Sequence, residues 1–432
     1  MGHQPSDAPS LTDVTASGAP TSGSSTYDLL IVGAGPAGSA AAITAAGQGL
    51  SVALVDKATF PRDKCCGDGL TTLALRQLEG LGLRPESVPQ WFDVDGAWLR
   101  SPSGREVFVP LPDEGRFAAV APRLELDDAL VRRAREVGVE VIEGRSFVDL
   151  DQDSDRVDVT FDDGSRIGAP WLVAADGMWS PIRKRLGMTP PSYLGEWHAF
   201  RQYARNVTGP AASRLYVWFD RDLLPGYAWS FPLPGNRVNI GFGILRDGKR
   251  RVQDMKQTWS DLLQRPHVVE ALGPDVEFED RHTAWPIPAR IDQAVTGVGR
   301  VLVVGDAAMA TDSLTGEGIG QALLTGVEAV RAIVHGATDR RSADEVRRDY
   351  RRRIDAHLLA DHRMSVRLSR VLAYDKGARG AITVLAHSGG WGRRNFARWM
   401  FEDEPRAIAL TPRRWHRRLF RRTGTYQVPF GA

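Results

Sequence analysis

Leu29-Leu30-Ile31-Val32-Gly33-Ala34-Gly35-Pro36-Ala37-Gly38 is the stretch that decides the fold. Four consecutive apolar residues suit a strand covered on both faces. A G-x-G-x-x-G turn follows with no gap. Its first glycine permits the tight turn, the second lets backbone N–H groups reach a pyrophosphate, and the third lets helix and strand pack closely. The helix that opens there adds positive partial charge opposite the phosphates. Ser51-Val52-Ala53-Leu54-Val55-Asp56 supplies the next strand, and Asp56 is placed to bind ribose hydroxyls. Glycine loops are common by themselves. With strand, helix and acid at these spacings the segment reads as a dinucleotide-binding unit.

Working outward, 432 residues hold two or three domains with sizeable cores. A hydrophobic fraction of 42% and a charged fraction of 25% are ordinary for a globular chain. A net charge of +2 gives no case for nucleic acid, whose binders carry a clustered basic face. No run is long and apolar enough to span a bilayer. Residues 1–26 are rich in Ser, Thr, Gly, Ala and Pro and read as a disordered tail rather than a secretory signal. Met1-Gly2 with Ser6 fits a myristoylation pattern, but chance supplies so short a match. Cys65 and Cys66 are adjacent, so a bridge between them would be strained. The absence of a disulfide framework favours a reducing, cytoplasmic setting, and no cysteine or histidine spacing suggests a metal.

The expected fold class is α/β: a Rossmann-like domain interrupted by an antiparallel β-sheet substrate domain, with a C-terminal helical region. The first domain takes residues 27–85, 115–192 and 291–340. The sheet takes 86–114 and 193–290, and residues 341–432 form Arg-rich helices running to the end. Helical spacing falls over 70–81, 124–137 and 318–337. Strands are expected at 139–142, 157–161, 172–175 and 301–304, with a hairpin turn at Asp162-Asp163-Gly164. The stretch 193–287 reads as aromatic strand-like pieces and turns. There is no internal repeat.

Several separated motifs recur in a recognisable order. They are Ala175-Asp176-Gly177 with Ser180 and Arg183, Gly305-Asp306-Ala307-Ala308, and Arg123 ahead of Leu124 and Leu126. To these add Phe60-Pro61-Arg62-Asp63-Lys64, Cys66-Gly67-Asp68-Gly69-Leu70, Tyr227-x-Trp229-x-Phe231-Pro232 and Thr315-Gly316-Glu317-Gly318-Ile319. Together they resemble flavoproteins of the p-hydroxybenzoate hydroxylase fold, and within it the geranylgeranyl reductase family, over residues 27–337. The resemblance implies FAD, with Asp306 on the ribityl hydroxyls. Implied cofactor contacts are Gly33, Gly35, Pro36, Ala37, Gly38, Asp56, Lys57, Arg62, Cys66, Gly67, Arg123, Asp176, Gly177, Gly305, Asp306, Gly316, Gly318 and Ile319. Physics agrees on one point independently: a glycine turn opening a helix at 316–318 offers backbone donors to the negative edge of a reduced flavin.

Tyr227, Trp229 and Phe231 alternate and so share one strand face. Val238, Ile240 and Phe242 form a second row, leaving Gly241 and Gly243 bare on the other side. By spacing alone such stripes most often fill a core. The resemblance implies instead a slot for a long apolar substrate, with Tyr227, Trp229 and Phe231 as substrate contacts. Two departures from the family pattern bear on that substrate: Pro225-Gly226-Tyr227 is one residue short, and Ser313 stands where a proline is usual.

The activity implied is FAD-dependent reduction of carbon–carbon double bonds in a prenyl chain, either a geranylgeranyl lipid or a prenylquinone tail. Cys66 and Tyr227 are the candidate catalytic proton donors. Electrons come from NAD(P)H or another donor, since no second dinucleotide loop has strand and helix around it. One alternative is a flavin monooxygenase or halogenase acting on an aromatic or polyketide-like compound. Another is a non-catalytic flavin sensor or lipid-sequestering protein. Arg413, Arg414, Arg417, Arg418, Arg421 and Arg422 surround Trp415, Leu419 and Phe420, a composition suited either to an anionic membrane surface or to a solvated helix edge.

Overall fold

The computed structural model describes residues 27–246 and 254–427; the tail 1–26 with its Met1-Gly2 start lies outside them. Leu29–Val32 is buried along its whole length because it runs through the middle of a six-stranded sheet. It pairs in parallel with Leu172–Ala174 on one side and Val52–Asp56 on the other. Glu140–Glu143 and Val301–Val303 extend the sheet in parallel, and only the edge strand Gly297–Val298 is antiparallel. Apolar strand runs are what a sheet packed on both faces requires.

Helix α1 (Pro36–Ala46) consists almost wholly of small residues and is buried nearly all round. A side chain at Gly326 would overlap the Ala37 carbonyl, so the 20-residue α7 (Ile319–Thr338) lies directly on α1. Between these in sequence come α2 (Thr72–Gly80), α3 (Arg123–Glu136), the short α4 (Pro181–Arg185), α5 (Asp254–Leu263) and α6 (Pro266–Leu272). After α7 follow α8 (Ala343–Ile354), α9 (Ala360–Leu372), α10 (Asp375–His387) and α11 (Gly389–Met400).

A second, seven-stranded sheet runs in the order Glu277–Ile287, Trp197–Arg205, Arg237–Leu245, Tyr227–Leu233, Leu215–Trp218, Gly96–Arg100, Glu106–Pro110. Residues 96–110 therefore join 197–287 across nearly a hundred residues of chain. The sheet is antiparallel except where Leu215–Trp218 lies parallel to Gly96–Arg100. Phe200, Val238, Ile240 and Phe242 fill a core on one face. The other face carries Trp229 and Phe231 in a separate cluster with Ile382 and Leu385 of α10.

Two expectations need correcting. The stretch 193–287 is not all strands and turns: α5 and α6 interrupt it. Met255, Trp259 and Leu262 recur at helical spacing and bury against the Phe242 side of the sheet. At the other end, helix stops at Met400, and residues 401–427 continue as turns with two short 3-10 segments. The basic 413–422 stretch is thus no helix. Arg398 draws in its backbone, donating to the carbonyls of Phe420 (2.7 Å) and Arg422 (2.6 Å), and Thr425 bridges to Arg116.

Candidate active site

A cavity of about 730 Å³ opens where the C-terminal ends of the parallel strands meet the aromatic face of the seven-stranded sheet. This is where open α/β sheets place their ligands. Every cofactor and substrate residue expected from the sequence lines this cavity, except Gly38 and Gly305. Those two act from behind. A Cβ at Gly38 would overlap the Gly33 carbonyl, and one at Gly305 would press on Ala37 at 3.0 Å. Gly33 itself has φ +104°, and a side chain there would overlap the Ala175 carbonyl. Gly35 faces two guanidinium groups, with Arg62 3.5 Å and Arg123 3.9 Å from where its Cβ would stand.

Asp56 clasps the loop. One carboxylate oxygen accepts from Ala34 N (2.6 Å) and the other from Ala58 N (2.8 Å), leaving lone pairs on both for a ribose. Arg62 and Arg123 converge over the loop on one fully buried carboxylate, Asp127. Arg123 grips it through two hydrogen bonds of 2.7 Å, and Arg62 approaches at 2.8 Å. Two guanidinium groups on one carboxylate leave a surplus positive charge beside the glycine loop, as a pyrophosphate requires. Asp127 was not anticipated, although its position four residues after Arg123 on a helix was the available signal.

Buried behind the cavity lining, Arg183 joins two motifs by donating to the carbonyls of Ala307 (3.0 Å) and Met178 (2.8 Å). Asp176 caps α4 by accepting from Ser180 Oγ (2.6 Å) and Ile182 N (3.1 Å), and burial raises its carboxyl to about 6. Asp306 is different. Its carboxylate faces the cavity with one long hydrogen bond, 3.5 Å from Thr311 Oγ1. That leaves its oxygens open to hydroxyl donors. Beyond it, Gly316 takes φ +73° and α7 begins at Ile319 with no side chain capping Gly318. Its first amides are therefore available to a ligand.

The turn is held from behind. Asp312 accepts from Leu314 N (3.0 Å), Thr315 N (2.8 Å), Ser365 Oγ (2.7 Å) and Arg406 Nε (3.2 Å). Burial opposes its charge, yet Arg406 and these donors keep Asp312 below the usual carboxylate range. Arg406 and its neighbour Glu402 come from the turns after α11. Glu402 accepts from Thr71 Oγ1 and Gln321 Nε2, both at 2.8 Å. Nothing in the spacing of residues 402–406 points to this position, which arises only when the chain returns.

The aromatic row forms one wall. Trp229 lies 6.1 Å, centroid to centroid, from both Tyr227 and Phe231. The expected bare glycine face is only half bare. Trp229 stands opposite Gly241 and its ring occupies that space, whereas Gly243, opposite Tyr227, has nothing within 4 Å of where a Cβ would be. Trp229 Nε1 donates to Asn239 Oδ1 (3.0 Å), and Asn239 Nδ2 donates to the Cys66 carbonyl (2.8 Å) and Asp68 Oδ2 (2.7 Å). Fully buried Asn239 thus ties the wall to the Cys66 loop.

The two candidate proton donors, Tyr227 and Cys66, both line the cavity. Tyr227 donates its hydroxyl to the Thr315 carbonyl, and burial with nearby Glu317 raises its pKa far above the ordinary value. Its geometry is that of a brace for the glycine turn. Cys66 is pushed up to about 12 by burial and by Asp68, so it remains a thiol and holds its proton tightly. Glu317, quoted with the turn but not expected to act, lines the same cavity. Its carboxyl oxygen lies 3.5 Å from the Cβ position of Gly69. Burial and the Glu402 carboxyl raise Glu317 to about 8. A carboxylic acid that keeps its proton at neutral pH, yet can release it, is suited to general acid catalysis.

Residues 26–344 match the FAD binding domain family. A menaquinone reductase of Mycolicibacterium smegmatis is 36% identical over 343 residues, covering 73% of this chain and 78% of the relative. Digeranylgeranylglycerophospholipid reductase 1 of Methanopyrus kandleri is 32% identical over 308 residues, covering 69% and 78%. Among solved structures, a geranylgeranyl bacteriochlorophyll reductase-like protein of Thermoplasma acidophilum aligns with a TM-score of 0.75 at 19% identity, covering 90% of this chain and 99% of that one. Halogenase PltM in complex with phloroglucinol and FAD aligns at 0.68 and 16% identity, over 89% and 86%. At such identities the two structures share the fold alone.

Proposed function

The chain belongs to the FAD-binding domain family and is an FAD-dependent oxidoreductase, and on that footing we propose that it saturates carbon–carbon double bonds in the prenyl chain of an apolar lipid, such as a prenylquinone tail. One observation carries the reading: a cavity-facing acid and an aromatic wall share one space with the residues suited to FAD. The reductase relatives support the same substrate class.

The donor set fits the cofactor. Amides of the Gly33–Gly38 loop, with Arg62 and Arg123 beside them, would hold the pyrophosphate. Asp56 would take the adenosine ribose, Asp306 the ribityl hydroxyls, and the amides at 316–319 the electron-rich edge of the ring. When bound and reduced, FAD supplies the electron pair and one hydrogen to the alkene. Glu317 supplies the other hydrogen as a proton and is reprotonated from solvent, so each saturated bond gains two hydrogens and two electrons. Tyr227, Trp229 and Phe231 orient the chain and exclude water, which matters because an isolated alkene is a poor acceptor. Cys66 and Tyr227 shape the pocket and keep their own protons.

The test is anaerobic incubation of the chemically reduced holoenzyme with a prenylquinone of defined chain length, followed by mass spectrometry. A gain of two hydrogens per bond in the tail is expected. Oxygen-dependent gain of a hydroxyl or halogen on an aromatic compound would replace this reading with the monooxygenase or halogenase alternative. Retained flavin without turnover on any prenyl, aromatic or quinone compound would favour the sensor.

A further inference from the structure

We propose that the α9–α11 layer is the face by which this enzyme seats on an anionic lipid bilayer, with Tyr374, Val384 and Trp391 entering the headgroup region. The inference does not depend on which lipid is reduced. It begins from side chains that ordinarily avoid water. Trp391 is 78% exposed, Tyr374 72% and Val384 71%, with Val371 at 56%. Scattered exposed apolar residues are unremarkable, but these belong to one short run of helices.

Helix α10 shows the arrangement. Ala378, Ile382 and Leu385 face inward. At 100° per residue, the exposed Gly380, Ala381 and Val384 fall within an arc of about 100° on a different face. That second face carries no charge, and Tyr374 and Trp391 stand just beyond the helix at its two ends. Tyrosine and tryptophan are the side chains that favour a membrane–water boundary, with one end apolar and the other wet.

Charge selects the occupant. Arg363, Arg367 and Arg370 recur along α9 as an exposed stripe, and Lys376 and Arg394 are exposed close by in sequence. Among the described residues none of these five forms an ion pair. The two acids of residues 360–400 are both neutralised: Asp361 by Arg414 (2.9 Å), and Asp375 by Arg379 (3.0 Å) and Arg221 (3.2 Å). The return segment is fastened to the same helices through Arg414 and Arg398, adding exposed Arg413, Arg417, Arg418, Arg421 and Arg422. Unpaired arginines around an apolar, aromatic-ended stripe match anionic headgroups over an acyl layer. A second copy of the chain would bring the same basic surface against itself.

The inward side of α10 adds a link to the cavity. Ile382 and Leu385 belong to the same buried cluster as Trp229 and Phe231, the cavity wall. Helix α10 thus shares one apolar core with the sheet that carries that wall.

The test is co-sedimentation of the FAD-loaded enzyme with vesicles of phosphatidylcholine, with and without 30 mol% phosphatidylglycerol as a set composition, and with no prenyl lipid present. Binding should fall at least tenfold on neutral vesicles and with added salt. R363Q/R367Q/R370Q should lower it roughly a hundredfold, at about fivefold per arginine. Y374S/V384S/W391S should lower it at least tenfold while flavin content and circular dichroism stay unchanged. Binding indifferent to both sets of substitutions would overturn the proposal. So would a dimer in sedimentation velocity that Y374S/V384S/W391S dissociates, since the face would then belong to a second copy. Absence of alkene saturation in the separate turnover assay would leave the vesicle result standing.

Discussion

Replacing Glu317 by Gln removes an ionisable proton while keeping the shape of the side chain. In the folded protein the carboxyl titrates near 8, against 4.5 when it is free in water. The raised value means that the folded state binds the proton more tightly than the unfolded chain. Below about pH 4.5 both forms are protonated and the residue is neutral in stability. Between 4.5 and 8 the unfolded chain ionises first, so stability falls as pH rises; above 8 the loss is complete. A gap of about 3.5 pH units, at ~1.4 kcal/mol each, sets an upper bound of about 5 kcal/mol. Because the carboxyl faces a cavity that water enters, about half of this is expected. E317Q should therefore match the parent at pH 5 and exceed it by about 2–3 kcal/mol at pH 9 in urea unfolding. Catalysis should move the other way. Loss of a general acid lowers alkene saturation by about 10²–10⁴-fold, while bound FAD and its reduction by an external donor persist. The parent's activity should decline above pH 8, about tenfold per pH unit. Undiminished saturation by E317Q, or parent activity still rising at pH 9, would refute Glu317 as the acid.

Three further outcomes follow from the same geometry. D306A should retain its fold by circular dichroism but lose most of its flavin on gel filtration; full flavin content would remove Asp306 from the ribityl site. D127N leaves two guanidinium groups without their shared buried carboxylate and should cost about 3 kcal/mol in urea unfolding, with weaker FAD retention. A loss under 1 kcal/mol would mean that the arginines find other partners. Cys66, titrating near 12 against 9.0 for a free thiol, should react with iodoacetamide at pH 8 about 10³ times more slowly than the unfolded chain. Rapid labelling by peptide mass mapping would show an ionised thiol.

Local sequence carried much of the fold and of the cofactor end of the site. An apolar run, three glycines and an acid lie within thirty residues, and their spacing is dictated by one βαβ unit packing on itself. Asp306 and the 316–318 turn were legible for the same reason, since strand, acid and helix start are contiguous. What stayed hidden depended on contacts between distant segments. Asn239 becomes a hub only because its strand pairs with the Trp229 strand, and Gly241 lost its apparent emptiness to that same tryptophan. Glu317 has its carboxyl raised by burial and by Glu402, which approaches from eighty-five residues away in the chain. The basic terminus is not a helix: its own amides close only short i→i+3 turns, and Arg398 takes the carbonyls of Phe420 and Arg422. Helices α5 and α6 lie between aromatic strands that mask them, and only α5 carries a spaced apolar signal, at 255, 259 and 262.

The brace behind the glycine turn has a consequence in time. A ribosome releases the Gly33–Gly38 loop early, but Arg406 emerges 368 residues later, after roughly 20–70 s of elongation at about 5–20 residues per second. Until then Asp312 lacks its buried cation and the ring end of the pocket has no backing. On the proposed placement of the flavin, a truncated polypeptide ending before Phe401 should leave the ribosome pale, because it lacks the Arg406 backing of the turn.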